Sequence, residues 1–306
     1  MKTLNLVYPE KSDIKYKISK FPDGQQQVTI EKFHKDNETF KPPPGIQSVQ
    51  IKSRLNNFLD LELIICAVKS LRELGVKEIH LYTPYFMGAR SDRKFEEGSN
   101  NYLKDIICPI INSLNFDSVT VLDPHSHVLE ACLDTFCSNT NKQLVNFALY
   151  DLYGDKWDGG DLSLKEIKDF ILISPDAGAS HKIYKLAEQI GYKGDIITCS
   201  KERDKDGKLT KVVVPEQAYN HGNKDLIIID DICDGGATFI NIAKNIKPMT
   251  DSKIYLIVTH GIFSQGIEGL GNYFDGVYCA NSYGEDVLLR YMKTKYKDLV
   301  KILNVF

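Results

Sequence analysis

The sequence predicts an α/β protein of two similar domains, each a mostly parallel sheet flanked by helices. Three observations carry this expectation. Short continuous apolar runs such as Phe170–Ser174 and Leu226–Ile229 read as strands buried on both faces, the pattern of parallel rather than half-solvated sheets. These runs alternate with stretches whose apolar residues recur at helical spacing, and a second round of the alternation begins after residue 161. A chain of 306 residues has room for two medium domains with a sizeable core. We divide it into 1–141 and 142–306, because residues 139–161 are rich in Asn, Gly, Asp and aromatics without clear periodicity and read as a long connection.

The elements follow in order. Leu4–Val7 is a short opening strand. Pro22-Asp23-Gly24 marks a turn, and Gln25–Ile30 alternates like the second strand of a hairpin. Residues 33–45 end in three prolines and a glycine, a stiff surface loop. Asn56–Leu74 is an amphipathic helix closed by Gly75, and Ile79–Thr83 the strand after it. Asn101–Leu114 reads as another helix and Ser118–Leu122 as another strand. The second round runs through strand Phe170–Ser174, the turn 175–179, helix Ser180–Ile190 and strand Asp195–Thr198. Cys199–Pro215 is a basic hairpin with Asp206-Gly207 at its tip. Ile254–Thr259 is a strand, Tyr278–Asn281 the last core strand, and Leu288–Phe306 a basic helix and tail.

Composition narrows the class. A net charge of −3, with 42% hydrophobic and 26% charged residues, describes an ordinary globular protein with no basic excess for nucleic acid. No apolar segment is long enough for a signal peptide or a bilayer span, so we expect a cytoplasmic location and no membrane partner. Seven cysteines lie scattered at 66, 108, 132, 137, 199, 233 and 279 without a Cys-x-x-Cys pair, which argues against structural zinc and for reduced thiols. Cys233 sits among aspartates that would raise its pKa, so packing is its expected role.

The chain is organised around 224–241, KDLIIIDDICDGGATFIN. The apolar run is expected to end where Asp230 and Asp231 begin. Asp234 and the small residues Gly235, Gly236, Ala237 and Thr238 follow, then a helix from Phe239. Small residues let backbone approach a ligand, and the N–H groups that open a helix lack intrahelical partners, so the turn suits phosphate. Carboxylates there make sense if they hold ribose hydroxyls or a magnesium ion carried by a phosphorylated ligand. An acidic turn before a well-started helix is the plainer alternative. Other charged residues stand at strand ends, where ligands of open α/β sheets gather: Arg90, Asp92 and Arg93 after the first buried strand, Asp123 and His125 after Ser118–Leu122, and Asp176 after Phe170–Ser174.

The spacing of the 224–241 stretch resembles the sugar-phosphate loop of type I phosphoribosyltransferases and of the ribose-phosphate pyrophosphokinases that share their fold. In that family a Thr or Ser usually stands where this chain has Gly235, so one hydroxyl is missing and space opens beside the loop. Further segments resemble the pyrophosphokinases in family order. FPDGQ resembles their FPDGE, whose contacts to a neighbouring subunit's adenine fall on Phe21, Asp23 and Gln25; only 20 residues precede it, so the family's first helix is expected to be shortened or absent. PYFMGARSDRK resembles PYFxYARQDRK, which implies that Arg90, Asp92 and Arg93 line ATP, with Gly88 and Ser91 as departures. DPHSH resembles their DLH signature, implying magnesium and triphosphate contacts for Asp123 and His125, with Asp134 as the downstream magnesium-associated aspartate and His127 without a match. The SPDxGG turn falls on Ser174–Ala179 and places Asp176 beside the phosphates and the metal. Their flexible loop opens with Lys-x-Arg, which falls on Lys201 and Arg203, and THGIFSQG resembles THGxFS.

The resemblance implies two phosphoribosyltransferase-type domains with the active site between them. It also implies transfer of the β,γ-diphosphate of MgATP, with Mg2+ as cofactor, to the anomeric hydroxyl of ribose 5-phosphate, giving phosphoribosyl pyrophosphate and AMP for nucleotide biosynthesis. Lys201, Arg203 and His125 would be catalytic; Asp230, Asp231, Asp234, Gly235, Gly236, Ala237 and Thr238 would bind the sugar phosphate. Adenine contacts from a neighbour imply a homo-oligomer, a dimer or hexamer. Three alternatives stay open: the same chemistry on ADP-ribose, tied to NAD metabolism; a phosphoribosyltransferase; and a non-catalytic regulatory relative.

Overall fold

A computed structural model describes residues 1–31, 47–154, 170–203, 209–219, 222, 224–284 and 294–306. The chain divides into two compact units, Met1–Asn139 with Phe306, and Thr140–Val305.

The first unit is a parallel sheet. Its strands are β1 (Lys2–Asn5), β4 (Ser48–Lys52), β5 (Glu78–Tyr82), β6 (Ser118–Leu122) and β7 (Phe136–Asn139), in the spatial order β1-β4-β5-β6-β7. Between β1 and β4, a 3₁₀ turn at Pro9–Lys11 precedes an antiparallel hairpin of β2 (Tyr16–Lys20) and β3 (Gln26–Ile30). That turn occupies the place where the family resemblance expected a shortened or missing helix. The expected loop 33–45 lies outside the described residues.

Helix α1 (Phe58–Glu73) starts where Asn57 Oδ1 accepts from Leu59 N at 2.8 Å and Asp60 N at 3.1 Å. It stops at Gly75, whose φ of +82° suits a residue without a side chain. Its buried face is Leu61, Ile64, Ala67, Val68 and Leu71, the i, i+3, i+4, i+7 set of an amphipathic helix. The hairpin is fastened to α1: Ser70 Oγ donates to Val28 O at 2.8 Å, and Gln26 N donates to Glu62 Oε1 at 3.2 Å. The single helix expected over 101–114 is instead a π-helical turn at Leu103–Ile107 running into α2 (Cys108–Asn112). Pro109 explains the change, since its ring displaces the carbonyl one turn back and it has no N–H to donate. A short α3 (His127–Cys132) precedes β7.

The second unit is a six-stranded parallel sheet in the order β15-β14-β13-β12-β8-β9. Its strands are β8 (Phe170–Ser174), β9 (Ile196–Thr198), β12 (Asp225–Cys233), β13 (Ile254–Gly261), β14 (Gly276–Ala280) and β15 (Val300–Leu303); its longer helices are α4 (Lys142–Tyr153), α5 (Ala177–Gln189) and α6 (Ala237–Ile246), with a short α7 (Glu268–Gly271). Alternate residues face opposite layers. Leu226, Ile228, Leu256 and Val258 pack with Phe239, Ile242 and Ile246 of α6. Ile227, Ile229 and Ile257 pack with Ile183 and Leu186 of α5 and with Leu144 and Leu149 of α4. A strand wet on neither face has no reason to alternate, hence the unbroken apolar run; each such side chain contributes roughly 1.5–3 kcal/mol on burial.

Several sequence expectations are corrected here. Helix α4 lies inside 139–161, read as lacking periodicity; its buried Leu144, Val145, Ala148 and Leu149 do share a helical face. Strand β12 does not end at Ile229 but continues to Cys233, because β13 runs alongside it to Gly261 and supplies ladder partners as far as Ile232↔His260 and Cys233↔Gly261. Helix α5 begins at Ala177, not Ser180, because Asp176 caps it. Strand β14 is not last: β15 lies beyond it in parallel, occupying part of the tail expected to be helical, while 285–293 lie outside the described residues. Strands β10 (Ser200–Arg203) and β11 (Leu209–Val213) form the expected hairpin, whose Asp206-Gly207 tip is outside the described residues.

Candidate active site

In the second unit the chain leaves β8 for β9 on one side and later returns to β12 on the other. Connections therefore diverge from the carboxyl ends of β8 and β12, and such a switch point opens a crevice for ligands. Asp176 stands just past β8; Asp230, Asp231 and Asp234 stand at the end of β12 and just after it. The topology thus gathers these aspartates at one end of one sheet.

Their surroundings differ. Asp176 Oδ1 accepts from Ala179 N at 2.9 Å as the cap of α5, and Asp176 Oδ2 pairs with Lys201 of β10. Burial pushes its carboxyl up, but the Lys201 hydrogen bond and charge, with the N–H groups of Ala179 and Gly178, outweigh this and leave it below the usual range. Asp231 is 5% exposed and its Oδ2 meets Lys182 Nζ of α5 at 2.7 Å. Asp230 accepts from Asp231 N at 2.9 Å. Burial first, then the charge of Asp231, drives its carboxyl well above the usual range. The two adjacent carboxylates are therefore unlike: one is paired with a lysine, and the other is pushed up by burial and by its neighbour's charge.

The turn after β12 is braced from β13. Ile262 N and Phe263 N both donate to Cys233 O, at 2.9 and 3.1 Å, and Ser264 Oγ donates to Asp234 Oδ1. Gly236, with φ of +78°, is the N-cap of α6, so the first N–H groups of Ala237 and Thr238 point into the turn. A Cβ on Gly235 would lie 3.1 Å from Gln265 Cγ, so the space expected there is taken by a flexible side chain. Cys233 is fully buried, and burial, then Cys279, Asp230 and Asp234, push its thiol up. The imidazole of His260, on β13, bonds Ser282 Oγ at 2.8 Å inside the core.

In the first unit, Arg90 and Asp123 follow the carboxyl ends of β5 and β6. Asp123 is buried with φ of +44°, an unusual conformation held by Asp123 N donating to Asn139 O at 2.8 Å. His125 is exposed two residues on, and His127 faces Glu130 at 3.5 Å. Arg90 is exposed, Asp92 is half-buried with its carbonyl accepting from Asn101 Nδ2 at 2.6 Å, and the Arg93 guanidinium lies 5.4 Å from the Phe95 ring centre. Phe21, Asp23 and Gln25 crown the β2–β3 hairpin, exposed, with the Gln25 amide nitrogen, oriented to donate, on Asp23 Oδ2 at 2.8 Å. Asp134 is not brought to this end. It precedes β7, whose register pairs Leu122 with Asn139, so Asp134 sits at the opposite end of the sheet from Asp123, roughly 20 Å away along the strands. Among the described residues no three His, Cys, Asp or Glu side chains cluster as a metal site, and no helix is long and apolar enough to cross a membrane.

No family model matches the chain. Ribose-phosphate pyrophosphokinase of Thermosipho africanus is 26% identical over 260 residues, covering 83% of this chain and 73% of that one. Its counterpart from Pyrococcus furiosus is 25% identical over 270 residues, covering 87% and 85%. The crystal structure of phosphoribosylpyrophosphate synthetase from Mycobacterium smegmatis matches with a TM-score of 0.68 and 16% identity, over 97% of this chain and 88% of that one. This chain is a divergent relative of the ribose-phosphate pyrophosphokinases. The likeness to that crystal structure accounts for two parallel sheets with helices on their faces. Sequence reasoning missed Lys182 and Tyr102, and it gave no role to Ser264 and Gln265 within THGIFSQG. Lys182 lies six residues past the cap Asp176, on the helix that covers β12, a signal readable only once α5 starts at Ala177. Tyr102 packs against Gly88, where an added Cβ would meet its ring at 2.8 Å, so an aromatic group fills the place of the side chain that Gly88 lacks.

Proposed function

We propose that this protein is a ribose-phosphate pyrophosphokinase. The anomeric hydroxyl oxygen of ribose 5-phosphate attacks the β-phosphorus of MgATP, the bond from that phosphorus to the α-phosphate oxygen breaks, and AMP leaves as the hydroxyl proton is lost. The observation that carries the reading is the switch-point set of Asp176, Asp230, Asp231 and Asp234 around an anion-binding turn.

Positioning and charge neutralisation do the chemical work, as in phosphoryl transfer generally. Asp230 and Asp231 take the ribose hydroxyls. Asp234 shapes the turn, and the backbone of Gly235, Gly236, Ala237 and Thr238 receives the 5-phosphate. Lys201 and Arg203 meet the transferring phosphates; Arg203 ends β10, and its side chain is outside the described atoms. His125, Arg90, Asp92 and Arg93 hold the nucleotide, and Phe21, Asp23 and Gln25 offer an exposed aromatic and two polar groups to adenine of a neighbouring subunit. In the second unit, the hard carboxylate oxygens of Asp176 would suit a magnesium ion carried in on ATP, which would offset phosphate charge.

AMP release from MgATP, measured with ribose 5-phosphate, with ADP-ribose and without acceptor, tests this. Release dependent on ribose 5-phosphate is expected. Release only with ADP-ribose would replace the acceptor, and no release with either would remove the activity.

A further inference from the structure

We propose that Lys182 is a positioning residue for the sugar acceptor, aiming the Asp231 carboxylate at the ribose hydroxyls. This rests on the reading that Asp231 receives those hydroxyls. Residues of β12 alternate between layers, and Asp231 shares the side of Ile227 and Ile229, which pack under α5. Lys182 lies in the second turn of α5, and Lys182 Nζ reaches Asp231 Oδ2 at 2.7 Å. With side-chain exposures of 37% for Lys182 and 6% for Asp231, the charge that is buried is the carboxylate, and the lysine serves it from the rim.

A carboxylate this enclosed needs a cation, and holding Oδ2 fixes the plane of the group and so the direction of Oδ1. Lys201 is engaged elsewhere, on Asp176. The two lysines divide the switch point between them: Lys201 belongs to a hairpin and its partner caps a helix, whereas Lys182 belongs to a helix packed on the sheet. Lys182 is therefore the fixed element of the pair and suits orientation of the acceptor.

Calorimetric titration with ribose 5-phosphate and steady-state AMP release test the assignment on wild type, Lys182→Met, Lys182→Arg, Asp231→Asn and the Lys182→Met/Asp231→Asn pair. Removing a charged hydrogen bond predicts a rise in Kd and KM for ribose 5-phosphate of roughly ten- to a hundredfold in Lys182→Met, with KM for ATP nearly unchanged. Lys182→Arg recovers most of the loss. In the Asp231→Asn background, Lys182→Met adds less than about twofold, because the lysine acts on the acceptor through that carboxylate. Equal damage from Met and Arg, full additivity in the pair, or a loss confined to ATP would overturn the assignment. If Lys182→Met fails to fold, the arginine variant and the Asp231→Asn background with Lys182→Arg decide by the same comparison. Wild-type protein that binds ribose 5-phosphate without releasing AMP would remove the catalytic reading alone; wild type that neither binds nor turns it over would remove both.

Discussion

Asp176 carries two loads that substitutions can separate. Its side chain caps α5 through Ala179 N at 2.9 Å, and its charge faces both the positive end of that helix and Lys201. Losing the cap costs about 1 kcal/mol. The charge at the helix start adds about 0.3–1 kcal/mol, and a partly exposed ion pair at most about 1 kcal/mol. Asp176→Ala therefore loses about 2 kcal/mol, whereas Asp176→Asn keeps a capping oxygen and loses about half of that. For a unit of this size the expected falls in Tm are about 4–8 °C and 2–4 °C, read by scanning calorimetry at pH 7 and low salt. The carboxyl is held below its ordinary pKa, so its charge contributes stability above that ordinary value and loses it as pH falls through the lower folded one. The gap between wild type and Asp176→Asn should close below about pH 4. Equal melting of the two variants at pH 7 would refute the capping role, and a gap that persists in acid would refute the charge.

Asp230 titrates in the opposite sense. A raised carboxyl binds its proton more tightly folded than unfolded, so wild type loses stability as pH climbs from about 4 through the folded value, and Asp230→Asn should melt above wild type at pH 8 but not at pH 4. Among the seven thiols, Cys108, Cys199, Cys233 and Cys279 are buried, and burial lifts Cys108, Cys199 and Cys279 to about 12; a colorimetric thiol reagent at pH 8 should label only Cys66, Cys132 and Cys137 until denaturant exposes all seven. Gly235→Thr crowds the flexible Gln265, with Ser264 Oγ at 3.9 Å from the added Cβ, and should change stability by less than about 1 kcal/mol. The added hydroxyl should lower KM for ribose 5-phosphate by up to about tenfold, measured by AMP release.

Local chemistry made much of this protein readable from its residues. The apolar run Phe170–Ser174 matches β8 residue for residue, because a strand enclosed by two layers is apolar along nearly all its length, and Ser118–Leu122 matches β6, whose burial alternates. Gly75 ends α1 as read, since the left-handed turn there belongs to the glycine itself. The order of aspartates and small residues from Asp230 to Thr238 marked a candidate site for a like reason: its expected ligand chemistry is written in adjacent residues.

Other features depended on neighbours far along the chain. Whether β12 stops at Ile229 or runs to Cys233 is decided by β13, which presents partners to that length. The fate of the tail as β15 is decided by the open edge of β14. The separation of Asp134 from Asp123 follows from a strand register that spacing alone does not encode. Lys182 meets Asp231 only because a helix capped by Asp176 lies across β12, and the unlike surroundings of Asp230 and Asp231 arise from that contact and from burial. Residue identity thus determined the fold class and the chemical inventory of the candidate site, while pairing and desolvation, which act between distant residues, decided how each of its groups is partnered.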